Sequence, residues 1–305
     1  MIPVTHLMPV KNGAIYLNQS LNGILMNAKI NDEILIIDDG SSDEGPNIIK
    51  KFQKQYAHIR VMTTKGIGIV GALNLGFKSA SFEWIARYDV DDVYEPNRVQ
   101  LQINCIKPKT AVIFSDYDIQ SNRIFLGSIP SPLLNKASVL SLIYSQQTAH
   151  PSALICKSAA FEAGLYKSDE YPAEDVGLWT RMSLIGNLES TPEILLHYKL
   201  NKSSITSINR QKSLIARDRI IKEFFVEKKL FSINDDEIDF TIEYYKNYNM
   251  TVERTLLFIR NLLKFEKIAE TNFTNRNKLL FEKKIFLKIA KFAYFALLRK
   301  SYRAF

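Results

Sequence analysis

The chain has 305 residues, a composition ordinary for a globular protein and a formal net charge of +8 at pH 7. This length is typical of about two domains and is ample for a large hydrophobic core. It contains no uncharged apolar run of the roughly 20 residues that a spanning helix needs, and its first residues lack the pattern of a signal peptide. We therefore expect neither a membrane-spanning nor a secreted protein.

Short β-rich runs alternate with amphipathic stretches over the first 115 residues. This alternation predicts an α/β fold with a mostly parallel central sheet and helices on both faces. Strands are predicted at 4–9, 33–38, 58–62, 84–88 and 111–115, and helices at 14–28, 45–56, 70–80 and 96–106. Pro96 would then lie in the first turn of its helix.

The pattern changes after residue 121. Helices are predicted at 136–144, 158–164 and 175–185, and strands at 153–156 and 194–200. Beyond about residue 208 the chain has no proline or glycine, which predicts an all-helical C-terminal region. We expect a domain at 1–207, with parts 1–115 and 116–207, followed by a helical region at 208–305.

An acidic turn follows the second predicted strand, in the sequence Asp38-Asp39-Gly40-Ser41-Ser42-Asp43. Ligands of α/β sheets bind at the carboxyl ends of strands, and a carboxylate can accept from a base N–H or a ribose hydroxyl. The alternative is an Asp-Gly turn in which Ser42 or Asp43 caps the next helix. Turn formation alone would not need both Asp38 and Asp39.

A glycine-rich stretch runs from Lys65 to Gly76 and leads into a predicted helix. Glycines here could let the backbone approach a phosphate, but the spacing fits no Walker pattern. We favour a structural role for this stretch, with Lys65 as a candidate ligand contact.

Three carboxylates, Asp89, Asp91 and Asp92, end the strand predicted at 84–88. Acids this close repel one another, and a divalent cation with oxygen ligands relieves the repulsion. The cluster therefore suggests a metal–diphosphate site, and the alternative is an acidic surface turn.

Two further acids, Glu174 and Asp175, begin the helix predicted at 175–185. They could interact with the helix dipole, or one could act as a general base in a cleft. His150 is a candidate cleft residue, although a single histidine is more often structural.

The whole excess of positive charge lies in residues 276–305, which hold nine basic residues and one acid. The stretch 285–298 is apolar apart from Lys288 and Lys291, and it predicts an amphipathic helix at an anionic membrane surface. The alternative is a helix packed on the preceding domain. Cys105 and Cys156 lie in apolar segments and are expected to be buried, reduced thiols of a cytoplasmic protein.

Seven segments together, in this order, resemble glycosyltransferase family 2, in particular bacterial transferases of surface polysaccharide such as O-antigen, capsule and lipooligosaccharide. They are 6–13, 36–43, 71–76, 85–92, 96–98, 150–152 and 173–179. The resemblance covers residues 1–207 and implies the GT-A fold, which is Rossmann-like, and inversion at the anomeric carbon. The resemblance does not extend to the C-terminal region predicted to be helical.

The resemblance also implies roles for individual residues. Asp175 would be the catalytic base, and Asp91, with Asp89, would hold Mn²⁺ or Mg²⁺. The nucleotide or donor contacts would be Pro9, Val10, Asn12, Asp38, Asp39, Lys65, Arg87, Asp89 and Glu174. His150, Asn201 and Lys202 would contact acceptor or diphosphate. The chain departs from the family pattern at Lys11, where Tyr is frequent, and at Asn201, where a strand-end His is common.

The resemblance implies an inverting transferase that uses a nucleotide sugar, preferably a UDP-sugar. Its acceptor would be a glycan or a polyprenyl-diphosphate-linked sugar at the inner face of the cell membrane. One alternative is a sugar-phosphate nucleotidyltransferase, but Lys11-Asn12-Gly13 is too sparse for its basic glycine-rich loop. A second is a non-enzymatic nucleic-acid-binding protein, for which no module accompanies the basic tail. We therefore expect no nucleic-acid partner.

Overall fold

The computed structural model describes residues 2–121, 124–129, 148–200 and 209–227. The described strands are β1 (Val4–Val10), β2 (Glu33–Asp38), β3 (Ile59–Thr63), β4 (Trp84–Arg87), β5 (Val93–Tyr94), β6 (Thr110–Ser121), β7 (Ile124–Ile129), β8 (Leu154–Cys156) and β9 (Asn187–Lys199). The described α-helices are α1 (Ala14–Asn27), α2 (Gly45–Gln55), α3 (Gly68–Ser79), α4 (Arg98–Ile103), α5 (Lys157–Glu162), α6 (Glu174–Met182) and α7 (Arg210–Glu227). Short 3₁₀ turns occupy His150–Ser152 and Ser168–Glu170.

The strands of this described part form one curled sheet in the order β3-β2-β1-β4-β8-β6-β9-β5, and β7 pairs with β6 outside that path. The first four strands of the order run parallel. Strand β8 is antiparallel to both of its neighbours, whereas β6 and β9 run parallel over a long irregular register. The result is the mixed sheet, parallel at its N-terminal half, that the α/β alternation predicts.

Helices cover both faces of this sheet, as predicted. On β1, Leu7 points to the face covered by α3, and Met8 points to the face covered by α1. The close approach of α3 depends on Gly76, because a Cβ there would lie 2.4 Å from a methyl carbon of Leu7. Strands that are buried on both faces usually have continuous apolar sequences, as residues 34–37 of β2 do.

The predicted elements agree with the structure within one or two residues for β1 to β4 and α1 to α3. The helix predicted at 96–106 is wrong in extent, because α4 covers only Arg98–Ile103 and Pro96 precedes it. The two-residue strand β5 and the edge strand β7 were not predicted, and β9 starts at Asn187 rather than at 194.

The chain divides into two compact units, residues 1–217 and 218–305. Of the second unit the structure describes only 218–227, which continue α7. The predicted boundary at 207, the helix at 136–144 and the basic tail at 276–305 lie outside the described residues.

Two smaller expectations can be compared with the described residues. Cys105 and Cys156 are free thiols, as expected, but both are partly exposed rather than buried. No helix within the described ranges is both long and apolar enough to cross a lipid bilayer.

Candidate active site

The loops that follow β1 and β2 are fastened to each other. The backbone N–H of Asn12 donates to Ser41 Oγ over 2.9 Å, and Asn12 Oδ1 accepts from the Ser42 backbone N–H over 2.8 Å. Asn12 adopts a left-handed conformation, with φ of 53°, that makes this exchange possible. Asp43 accepts from the N–H groups of Ala14 and Gly45, the first residues of α1 and α2, so one carboxylate joins the starts of the two helices.

The two predicted nucleoside aspartates occupy different positions. Asp38 is buried and accepts from the Ser41 N–H over 3.0 Å. Asp39 is buried and binds the start of the glycine-rich loop, accepting from the N–H groups of Ile67 at 2.7 Å and Gly68 at 3.0 Å. Burial by itself would raise the pKa of Asp39, but these donors and Thr64 lower it overall.

Two of the remaining predicted nucleoside contacts lie at the end of β1, next to the Asp38–Asp39 turn. Pro9 and Val10 are buried at the end of β1, and the Val10 carbonyl accepts from the Asp39 N–H over 2.8 Å. The exposed ammonium of Lys11 lies 3.7 Å from Asp39 Oδ2, and Lys65 is exposed in the loop. Asp39 therefore accepts from the two amides at the N-terminal end of α3, where the glycine-rich stretch enters the helix.

Asp89, Asp91 and Asp92 converge at the carboxyl end of β4, as the sequence predicts. One oxygen from each lies within 4.8 Å of the others. Asp92 is buried, and its Oδ1 accepts from the Lys199 N–H at the end of β9 over 2.9 Å. Its other oxygen, Oδ2, is buried without a hydrogen-bond partner in the part of the chain that the structure describes.

Electrostatics at this cluster favours a bound cation. Burial, together with the charge of Asp89, raises the pKa of Asp91 to about 6, and burial also raises the pKa of Asp92. Oxygen ligands that repel one another, with one buried oxygen unpaired, fit Mg²⁺ or Mn²⁺. Asp89 and Asp91 remain partly exposed and could ligate a cation that also meets a diphosphate.

Arg87, the last residue of β4, is almost completely buried and forms an ion pair with Asp89. Burial lowers the pKa of its guanidinium, but the charge of Asp89 more than offsets this, so the pKa is raised. The same positive charge only partly opposes the rise that burial causes in the pKa values of Glu174 and Asp175. Arg87 is thus paired with Asp89, and its charge also acts on two acids that are far away in the sequence.

Glu174 and Asp175 form the first turn of α6. Burial and the neighbouring Asp175 raise the pKa of Glu174 to about 7. Burial likewise raises the pKa of Asp175, which remains partly exposed, and the Asp89 charge contributes to both shifts. The predicted base therefore lies within range of the charge of Asp89, one of the predicted metal ligands.

His150 contacts Tyr166 and Trp179, and the latter belongs to α6. Its Nε2 is 2.8 Å from the Tyr166 hydroxyl, and its ring meets the edge of Trp179 at a centroid distance of 5.8 Å. Burial and the charge of Arg87 hold the pKa of His150 well below its usual range, so the ring is neutral near pH 7. Asn201 and Lys202 lie outside the described residues.

Three residues without a predicted role, Tyr94, Tyr166 and Lys199, also contact residues of the candidate site. The Tyr94 hydroxyl contacts the Asp89 backbone N–H over 2.6 Å, and Lys199 supplies the backbone donor to Asp92. Tyr166 supports His150. Because Tyr94 follows the three aspartates closely in the sequence, its place in the site could have been predicted. No neighbouring motif in the sequence indicates that Tyr166 belongs to the site.

The model of glycosyl transferase family 2 matches residues 5–161, about half of the chain, and covers β1 to β8 with the aspartate cluster. The chain belongs to glycosyl transferase family 2. This membership supports neither of the two alternatives, a nucleotidyltransferase or a nucleic-acid-binding protein.

Several curated relatives are also glycosyltransferases by name. An uncharacterised glycosyltransferase of Haemophilus influenzae is 25% identical over 211 residues, which cover 65% of each chain. The Escherichia coli UDP-Glc:alpha-D-GlcNAc-diphosphoundecaprenol beta-1,3-glucosyltransferase WfgD is 27% identical over 237 residues, covering 75% of this chain and 89% of WfgD. The match covers only 65% of the Haemophilus relative and 46% of a Rickettsia conorii glycosyltransferase.

Solved structures identify the GT-A fold of this family 2 member. S. aureus TarS 1-349 in complex with UDP-GlcNAc superimposes with a TM-score of 0.64 at 14% identity, covering 88% of this chain and 81% of TarS. The Pyrobaculum calidifontis mannosyltransferase PcManGT, in complex with GDP-Man and Mn²⁺, gives a TM-score of 0.58 at 13% identity. That match covers 98% of this chain and 85% of PcManGT.

Proposed function

We propose that this family 2 member transfers a sugar from a nucleoside diphosphate sugar to an acceptor hydroxyl, with inversion at the anomeric carbon. The observation that carries the proposal is the convergence of three carboxylates at the end of β4 in a member of this family: one oxygen from each of Asp89, Asp91 and Asp92 lies within 4.8 Å of the others. A cation held there can bind the donor diphosphate. The acidic pair that begins α6 would supply the proton acceptor that the reaction also needs.

Asp91 and Asp89 would hold the divalent cation, with Asp92 fixing the loop through the Lys199 N–H. When bound, the cation neutralises the negative charge that develops on the leaving diphosphate. Arg87 pairs with Asp89 and would hold its carboxylate in place beside the cation.

Asp175 would remove the proton from the attacking hydroxyl. It is the more exposed of the two acids in α6, whereas Glu174 is buried and, with a pKa of about 7, carries a proton for part of the time near neutral pH. The more accessible carboxylate is the better placed to meet an acceptor hydroxyl. A positioned base typically contributes about 10²–10⁴-fold to the rate.

For the donor we favour a UDP-sugar, and for the acceptor a sugar on a polyprenyl diphosphate. Support comes from the names of WfgD, which acts on a diphosphoundecaprenol-linked acceptor, and of TarS, whose structure contains UDP-GlcNAc. The basic tail at 276–305 would place the enzyme at the inner membrane face, where such acceptors are anchored.

A donor panel tests the proposal. UDP-Glc, UDP-GlcNAc and GDP-Man are each incubated with the full chain, Mn²⁺ and a GlcNAc-diphosphate-lipid acceptor. Release of nucleoside diphosphate together with a lengthened lipid product is the expected result for at least one UDP-sugar. Release of pyrophosphate from a nucleoside triphosphate and a sugar phosphate, with no sugar transfer, would overturn it.

A further inference from the structure

Asn74 binds the backbone of Tyr166 in both directions, across 92 residues of sequence. Its Nδ2 donates to the Tyr166 carbonyl over 2.8 Å, and its Oδ1 accepts from the Tyr166 N–H over 3.0 Å. A side-chain amide is well suited to such an exchange, because it carries a donor and an acceptor side by side. Asn74 lies within α3, in the segment 71–76 that resembles the family but to which the proposed function assigns no role.

Tyr166 is held from two further directions. The ring of Phe77, one turn after Asn74 on the same face of α3, meets the Tyr166 ring edge-on at 5.7 Å. Arg181 of α6 donates to the carbonyls of Ala163 and Leu165, at 2.7 Å and 2.6 Å. The turn that contains Tyr166 is thus fixed between α3 and α6.

From Tyr166 the contacts continue to the acidic pair. The Tyr166 hydroxyl lies 2.8 Å from His150 Nε2, and the His150 ring packs against Trp179, one turn after Asp175 on α6. Tyr166 is buried, and the charges of Arg87, Asp175 and Glu174 all act on its hydroxyl. A continuous packed chain therefore links Asn74 with the helix that carries the proposed base.

We propose that Asn74 is a positioning residue, which fixes the place of α6 and its acidic pair through Tyr166. Its catalytic consequence rests on the proposed function, since only a reaction that uses Asp175 would register the displacement. Its structural consequence, the restraint of α6, does not depend on that function. The two consequences can be measured separately.

The test compares Asn74→Ala and Asn74→Asp with a matched control, Asn27→Ala. Asn27 is also an asparagine whose amide joins two elements, donating to the Glu95 carbonyl over 2.9 Å and accepting from the Val99 N–H over 3.3 Å. It has no contact with Tyr166, His150 or α6 among the described residues. Asn74→Asp keeps the acceptor for the Tyr166 N–H but sets a carboxylate against its carbonyl.

Hydrogen exchange measured by mass spectrometry reports the restraint of α6 in the full chain, without substrate. In both Asn74 variants the amides of Glu174–Met182 should exchange about tenfold faster or more, as expected when two partly buried hydrogen bonds are lost. In Asn27→Ala they should stay within about twofold of the unsubstituted chain. Equal exchange from α6 in all variants would overturn the proposal.

Kinetics then separate positioning from a general loss of stability. Well below the melting temperature, Asn74→Ala should lower kcat by about tenfold or more and change the donor KM by less than about threefold, because a displaced base slows only the chemical step. Asn27→Ala should leave both constants close to those of the unsubstituted chain. Should the unsubstituted chain transfer no sugar, the proposed function fails, and the exchange data alone decide the role of Asn74.

Discussion

The guanidinium of Arg87 pairs with the carboxylate of Asp89 at the end of β4, and the arginine side chain is 5% exposed against 30% for the aspartate. A buried cation that loses its partner is costly, and so are carboxylates that lose their cation. This pair therefore contributes to stability as well as to the charge balance of the site.

Replacing Arg87 by Met should lower the free energy of unfolding by up to about 3 kcal/mol, the low end for a buried pair because Asp89 is partly exposed. Urea denaturation measures it. The matched control is Arg60→Met, since Arg60 pairs with Glu33 over 2.7 Å but is 46% exposed. This control should lose about 1 kcal/mol or less. If the two variants lost equal stability, the burial argument for Arg87 would be wrong.

Asp91→Asn should abolish the metal-dependent part of donor binding. The change removes the partly exposed carboxylate best placed to ligate a cation beside the diphosphate. Calorimetry with a UDP-sugar in Mn²⁺ and in EDTA measures the effect. The exposed acid Glu162 serves as control, and Glu162→Gln should leave the difference between the two conditions intact. Equal donor affinity of the unsubstituted chain in Mn²⁺ and EDTA would contradict the metal site itself.

Asp175→Asn should cut turnover by about 10²-fold or more while leaving donor affinity nearly unchanged, because the base acts on the acceptor. Glu174→Gln removes the neighbouring carboxylate and should cost less than about tenfold. Initial rates at saturating donor, paired with calorimetry of donor binding, separate the two. The opposite order of activities would assign the base to Glu174.

His197 of β9 lies between two carboxylates, with Nδ1 2.8 Å from Asp118 Oδ2 and Nε2 2.9 Å from Glu95 Oε1. Burial would lower its pKa, but these two partners raise it above 6.5 overall. A raised histidine pKa contributes stability that is full below pH 6.5 and is lost as the pH rises through the folded pKa.

We therefore expect the stability difference between the unsubstituted chain and His197→Gln to be largest near pH 6 and to shrink by pH 9. Urea denaturation at both pH values measures it, and taking the difference cancels the titration of other groups. A gap that stays constant with pH would show that His197 is not charged in the folded protein.

The basic tail should bind anionic membranes. Glutamine at Lys283, Lys284, Lys288 and Lys291 should weaken binding to anionic vesicles by up to about 10³-fold, at roughly 1 kcal/mol per lysine near the surface. Liposome flotation measures this, with neutral vesicles for comparison. The control carries glutamine at four exposed lysines of the described part, Lys50, Lys51, Lys54 and Lys78. If both variants float equally well, the tail does not direct binding.

The sequence predicts most of the parallel half of the sheet because its strands are short runs rich in apolar residues that are followed by turn residues, as Glu33–Asp38 is followed by Asp39 and Gly40. It also predicts the aspartate cluster, since the three acids are neighbours in the chain. Strand β5 could not be predicted because two residues are too few to show a periodic pattern. Strand β7 could not be predicted because Ile124, Phe125 and Leu126, all exposed, show no alternation of apolar and polar residues.

Contacts between distant segments are not visible in the sequence. Nothing near Arg87 indicates that Asp175 will lie within reach of its charge, and nothing near Asn74 indicates Tyr166. These pairs depend on how the sheet curls and where α6 packs, which is decided by the whole core. Asp39 illustrates the same limit, because its acceptance of the Ile67 and Gly68 amides follows from a loop 28 residues away.

The mutual fastening of the loops after β1 and β2 has a consequence for redesign. The Asn12 N–H donates to Ser41, Asp43 accepts from the N–H of Ala14 at the start of α1, and Asp39 accepts from the N–H of Ile67 in the loop after β3. A transplant of one loop from a relative with another donor would leave its new partners without matching bonds. An exchange of donor preference should therefore succeed only when all three segments are swapped as a set.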